Sequence, residues 1–222
     1  MLAFSSLLGN VEGQNIYRIW YDKPASYWEE ALPVGNGRIA AMVFGDPQLE
    51  QIQLNEETVS AGSPYQNYNE EAKTALPEMR RLIFEGKYEE AQNMAATKIL
   101  SQVGNEMPYQ TVGRLNIRYQ DHKKVNNYYR DLDISNAVAV TRYEVDGVEF
   151  TEETFASFTD QLVIRHIKAS KPGTINCELF FNTPMRDPKR SIYGKKGLRL
   201  EGITHGSRYF PGKVHYCACL LY

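Results

Sequence analysis

Paired carboxylates are the residues to weigh first in this chain. Hydrolysis of a glycosidic bond generally takes two of them, about 5 Å apart for retention of configuration and roughly 6.5 to 9.5 Å apart for inversion. Two doublets stand out, Glu56 and Glu57 directly after Asn55, and Glu152 and Glu153 in the middle of a strand-like run. Successive side chains of a strand point to opposite faces, so neither doublet is itself a catalytic pair. Glu152 and Glu153 are expected as surface acids. Asn55 and Glu56 follow a strand end, where loop residues become available to a ligand or to an interface. A further candidate is the turn in "ALPVGNGRIAAMVFG", residues 31–45, where Gly35 and Gly37 bracket Asn36 and Arg38 stands at the exit. Glycine has no Cβ penalty at positive φ, and asparagine tolerates that region. The plain reading is a hairpin corner; the sharper one brings backbone close to a neighbouring surface.

Other chemistries find no foothold. Cys177, Cys217 and Cys219 cannot all pair, and no Cys-x-x-Cys or His-x-x-x-His spacing builds a metal site. Cys217 and Cys219 share a strand face and are expected as buried thiols. His122, His166, His205 and His215 are scattered, and neither a metal nor a cofactor is expected. Nothing resembles a G-x-S-x-G elbow, and the GNG turn precedes a strand where a phosphate loop must precede a helix. Lys and Arg number 25 against 27 Asp and Glu, with no long block of one sign, which argues against nucleic acid or an anionic membrane as partner. No stretch reaches the ~20 apolar residues of a membrane helix. Neutral partners are favoured. The 15 tyrosines suit sheets and stacking against sugar faces, and Trp20, Trp28, Tyr65 and Tyr68 are possible contributors to such a platform.

The elements that must hold these residues are mostly strands. Residues 16–21 read as a first strand and residues 24–33 as a loop. Residues 37–45 and 48–54 form a hairpin about the turn pair Asp46-Pro47. Between Asn69 and Leu100 the period changes to that of helices. Ala72, Leu76, Met79 and Ile83 share one face, and Pro77 divides a short turn from a helix over 77–85. A second helix buries Tyr88, Ala91, Met94 or Ala95, and Ile99. From Gln110 onward strand follows strand, with Asp146-Gly147 as a two-residue hairpin turn and Pro172-Gly173 as another. The last run, "KVHYCACLLY", is apolar on both alternating faces and reads as a strand covered on both sides. The pattern predicts a mainly β chain, a large antiparallel β-sandwich with a helical insertion near residues 69–100.

Taken together, "ALPVGNGRIAAMVFG", "EQIQLNEETVSAGSP", "ALPEMRRLIFEGKYEEA", "YQTVGRLNI", "YYRDLDISNAVAVTRY" and "TEETFASFTDQLVIRHIKAS" resemble, in order, the N-terminal domain of glycoside hydrolase family 95, whose best known members are α-L-fucosidases. The resemblance covers residues 17–181 well and the remainder loosely. It implies a supersandwich-like β domain packed on an (α/α)6 barrel that holds the acid and base, so that residues 16–222 form a C-terminally truncated N-terminal domain with no catalytic residue of its own. It also implies an inverting enzyme acting on fucosylated glycans, with L-fucose and L-galactose both open as the sugar. Asn36, Arg38, Asn55 and Glu56 are then expected near the rim that meets the downstream catalytic domain. One departure is that the family often has Trp after "LNE", where this chain reads Val59-Ser60-Ala61-Gly62. A stand-alone carbohydrate-binding module is the alternative. Residues 1–15 read as a leader or the remnant of a secretory signal, which gives a secreted or periplasmic protein. A sandwich lacking its barrel is expected to expose an apolar face and to self-associate.

Overall fold

The computed structural model describes residues 17–61, 67–101, 108–206 and 211–222. The expected leader lies outside them, as does Tyr65. The strands are β1 (Arg18–Tyr21), β2 (Leu32–Gly35), β3 (Ile39–Val43), β4 (Leu49–Glu56), β5 (Gly113–Tyr119), β6 (Val125–Asp133), β7 (Val138–Val145), β8 (Val148–Ala156), β9 (Val163–Ala169), β10 (Cys177–Asn182), β11 (Arg186–Ile192), β12 (Gly197–Ile203) and β13 (His215–Leu221). Two helices, α1 (Ala72–Phe84) and α2 (Tyr88–Met94), the second continued by a π-helical turn (Ala95–Ile99), stand between β4 and β5, where the change of period predicts the insertion. The mainly β, antiparallel class follows.

The chain divides into two compact units. The first runs to Leu54 and resumes from Arg114 to Asn182; the second comprises Asn55–Gly113 and Thr183–Tyr222. The first unit is a sandwich of two five-stranded sheets, one ordered β1-β6-β7-β8-β9 and the other β10-β5-β4-β3-β2. Strand β2 packs across β6, β7 and β8, and β3 across β8 and β9. Alternation along each strand sends Leu32, Val34, Ala41, Val43, Ile52, Ile117, Ala139, Tyr143 and Phe150 into the space between the sheets. Burying one large apolar side chain there contributes about 1.5–3 kcal/mol. The β7–β8 turn has Asp146 at φ 48° and Gly147 at φ 77°, the positive pair that a two-residue hairpin requires.

Strand β2 falls partly where a loop is predicted. Pro33 argues against a strand, yet β2 is the outermost strand of its sheet, where a missing N–H leaves no ladder bond unmade.

The second unit holds the helices and a three-stranded sheet, β11-β12-β13. Helix α1 runs unbroken through Pro77. At the sixth residue Pro77 removes one bond, to the carbonyl four residues earlier, and the turns on either side continue. The buried face of the helices is Leu82 and Ala91, with Leu76, Met79, Met94 and Ile99 half-buried; Ile83 and Tyr88 are exposed, against expectation. Strands β11 and β12 escape the sequence pattern. Every residue of β11 is exposed, its run "RDPKRSI" has no apolar alternation, and its register shifts between Arg186 and Lys189. Strand β13 is not covered on both sides. Tyr216, Ala218 and Leu220 are half-buried, while His215, Cys217, Cys219 and Leu221 face solvent. Cys217 and Cys219 are therefore exposed thiols, because that face of the small sheet carries no second layer among the described residues.

Candidate functional site

The same alternation that buries Phe150 and Thr154 carries Glu152, two residues from each, into the sandwich. Glu152 is 2% exposed, so the surface position expected for it is corrected; Glu153, on the other face, does point outward. Across the gap, Glu50 on β4 is inward by the same parity as Ile52 and is fully buried. Arg165, paired with Thr154 between β8 and β9, reaches both acids. Its Nη2 donates to Glu50 Oε2 at 2.7 Å and to Glu152 Oε2, and its Nη1 donates to Thr154 Oγ1 at 2.8 Å.

The remaining carboxylate oxygens are also committed. Glu152 Oε1 accepts from Tyr119 Oη at 2.7 Å and from Tyr143 Oη at 2.6 Å, and Glu50 Oε1 accepts from the Gly45 N–H at 2.9 Å. Burial raises the pKa of both phenols, so they serve as neutral donors. His122 closes the cluster. It stacks on Tyr119 at 4.4 Å between centroids, lies 4.4 Å from Phe150, and its Nδ1 sits 2.9 Å from the Pro47 carbonyl, which makes Nδ1 the protonated nitrogen. Burial holds its pKa below the ordinary histidine value. Two acids and a base-capable ring thus meet in one place, but all four carboxylate oxygens accept hydrogen bonds from within the protein. The arrangement joins the two sheets and puts the Arg165 guanidinium between the carboxylates.

The GNG turn is the hairpin corner of β2 and β3. Asn36 N–H donates to Ile39 O at 3.1 Å, and Asn36 Oδ1 accepts from the N–H groups of Arg38 and Ile39 at 3.1 and 2.9 Å. Asn36 Nδ2 donates to Ser157 O at 2.8 Å, tying the corner to the end of β8. Gly37 is needed for its φ of 90° alone, since a Cβ there would meet nothing within 4 Å. Asn55 and Glu56 end β4 in the other unit, where Glu56 Oε2 accepts from Thr58 N and Oγ1 at 2.8 and 2.5 Å. Asn36 and Arg38 therefore share one turn, Asn55 and Glu56 share one strand end, and the two pairs belong to different units. The segment after "LNE" is anchored rather than presented. Val59 and Ala61 are buried, and Ser60 bridges to Tyr109.

The outer face of the sheet that contains β1 and β6 carries residues that sequence reasoning only partly found. Trp20, 61% exposed, stacks with Tyr129 at 6.3 Å and 20°. Beside it Asp131 is buried between Arg18 at 3.4 Å and Arg142 at 3.4 Å. Burial raises the Asp131 carboxyl above its ordinary range. One residue earlier, on the inner face, Arg130 is fully buried. It lies 4.1 Å from the Tyr21 ring and donates to the carbonyls of Lys23 at 2.8 Å and Glu30 at 2.7 Å. Parity with Leu132 is the signal that places Arg130 inside.

A profile of the N-terminal domain of glycosyl hydrolase family 65 matches residues 19–218. The chain belongs to that family of N-terminal domains. Among curated relatives of this family 65 N-terminal domain, "Alpha-L-fucosidase 2" of Arabidopsis thaliana is 37% identical over 79% of the chain and 21% of the relative. "Probable alpha-fucosidase A" of Aspergillus niger is 26% identical over 68% of the chain and 20% of the relative, and the protein of the same name from Aspergillus oryzae is 25% identical over 74% and 23%. The domain thus spans about a fifth of the length of the curated relatives it matches. No helix among the described residues is long and apolar enough to cross a membrane.

Proposed function

We propose that this domain is the N-terminal, non-catalytic part of an α-L-fucosidase-like, inverting hydrolase of glycoside hydrolase family 95, and that it supports an (α/α)6 barrel holding the acid and base. The observation that carries this reading is the state of Glu50 and Glu152. The carboxylates that meet in the sandwich are consumed by Arg165, Tyr119, Tyr143 and a backbone N–H, so hydrolysis needs acids from elsewhere. The similarity to proteins named as fucosidases supports a fucosylated glycan as the substrate class, and the apolar, small-residue run of residues 1–15 supports export. Asn36 and Arg38 in the first unit, and Asn55 and Glu56 in the second, are each contact points for the barrel, and exposed apolar side chains drive self-association when the barrel is absent.

The test is an assay in two parts. Alone, the chain leaves an aryl α-L-fucoside intact. Extended by the segment that follows the matched region in the Arabidopsis relative, it releases fucose with inverted configuration. Glu56→Ala in the extended protein then lowers kcat/KM. Hydrolysis by the chain alone that Glu152→Gln abolishes would overturn the reading.

A second reading, a carbohydrate-binding module, is favoured by the exposed Trp20 stacked on half-buried Tyr129 at a sheet face. Titration with a fucosylated oligosaccharide, followed by tryptophan fluorescence, separates the two. Saturable binding lost in Trp20→Ala supports the module, and a flat titration removes it.

A further inference from the structure

The open face of β13 carries two thiols that the proposed function does not use. Cys217 and Cys219 are both exposed, and their Sγ atoms lie 3.6 Å apart. Arg199 on β12, directly across from Cys219, donates from Nε to Cys217 Sγ at 3.3 Å and from Nη2 to Glu201 Oε1 at 2.5 Å. We propose that Cys217 and Cys219 form a thiol–disulfide exchange site, which reacts with small oxidised disulfides of the glutathione type and closes reversibly into a disulfide within the strand.

The two cysteines have different parts in this. Cys217 is the attacking group, because its sulfur is exposed and is held in place by the Arg199 Nε–H. Having lost its proton to solvent, Cys217 Sγ attacks one sulfur of the oxidised disulfide, forming a mixed disulfide and releasing one small thiolate. Cys219, whose thiol is pushed up by burial and by the neighbouring Cys217, keeps its proton until this second step. It then loses that proton to solvent and attacks Cys217 Sγ, expelling the second small thiolate. Two protein thiols are oxidised and one small disulfide is reduced to two thiols, so atoms and electrons balance.

The fold permits closure and keeps it reversible. Two steps along a strand span about 6.6–6.8 Å between Cα atoms, at the wide end of the roughly 4.4–6.8 Å that disulfides accept. Closing the bond draws β13 into a deeper pleat. Among the described residues β13 pairs on one side only, with β12, so its other edge is free to follow. A disulfide formed at the limit of its geometry is readily reopened by thiols. Cys177 is an internal control. It stands alone on β10, partly buried, and burial raises its thiol.

The 222-residue chain is equilibrated in buffers of varied reduced-to-oxidised glutathione ratio, quenched with an alkylating reagent and weighed by mass spectrometry. The expected result is the joint loss of two thiols, mapped to Cys217 and Cys219, with the mass falling by two hydrogens, Cys177 still alkylated, and full reversal by dithiothreitol. Cys219→Ser accumulates one glutathionyl group on Cys217. Arg199→Gln slows the first step by about three- to tenfold, with the thermal midpoint of each variant confirming that the fold persists. The proposal is overturned if both thiols stay alkylatable at ratios that oxidise the free peptide HYCACLL. Disulfides formed only between chains, or an Arg199→Gln rate equal to that of the parent, overturn it as well.

Discussion

The sandwich interior and the open sheet β11-β12-β13 both hold an arginine against a glutamate, and the comparison shows what water does to an ion pair. Arg165 meets Glu50 and Glu152 where all three are buried. Removing Arg165 leaves two carboxylates that solvent cannot reach, at a cost of several kcal/mol. Arg199 meets Glu201 with both side chains about two-fifths exposed. Water replaces either partner there, so the pair adds little to folding. What its arginine can still do is act on a neighbouring sulfur. Charge placed inside holds the fold; charge placed outside is available for chemistry.

The largest expected effect comes from opening the interior cluster. Arg165→Met should lower the unfolding free energy by about 3–5 kcal/mol, read as a shift of the urea midpoint. Adding Glu50→Gln and Glu152→Gln should recover part of that loss, because the three residues act as one unit. Additive losses would show that the cluster is three independent pairs.

Two glycines give the next contrast. Gly45 has φ 75°, and a Cβ there would lie 2.8 Å from both Arg130 Cδ and Tyr128 Oη, whereas a Cβ at Gly37 meets nothing. Gly37→Ala should cost only backbone strain, roughly 1–2 kcal/mol, and Gly45→Ala clearly more. Equal costs would mean that the interior around Arg130 yields.

Acid provides a smaller test. His122 has its pKa lowered by burial, so the unfolded chain binds the proton more tightly. Its contribution is present above the ordinary value of about 6.5 and is lost as pH falls from there toward the folded-state value. Thermal midpoints should decline below pH 6.5, and His122→Phe should flatten that limb. At the bottom of the scale, Arg81→Ala, which removes exposed pairs to Glu78 and Glu85 on α1, should leave the midpoint unchanged.

How far the sequence is legible follows the same division. The sandwich strands announce themselves by alternation, and the Asp146-Gly147 turn by its residue types, because burial on one face imposes a period of two. Glu152 and Arg130 are misplaced by composition yet correctly placed by parity, since Phe150 and Leu132 fix which face is inside. Strand β11 has no buried face and so leaves no periodic trace. For Cys217 and Cys219 the apolar run suggests a covered strand, but covering depends on a second layer that no local pattern encodes. The expected rim residues are legible as turn formers, and their bonds explain that: Asn36 closes a hairpin corner and Glu56 a strand end.

Arg130 extends this reasoning to the segment between β1 and β2. One guanidinium gathers the carbonyls of Lys23 and Glu30 while Ala25 N–H donates to Phe44 O at 2.9 Å, so irregular backbone is stitched at both ends to regular sheet. Deuterium should therefore enter the Ala25 amide on the slow schedule of the strands, and a protease should find no early cut between Asp22 and Ala31.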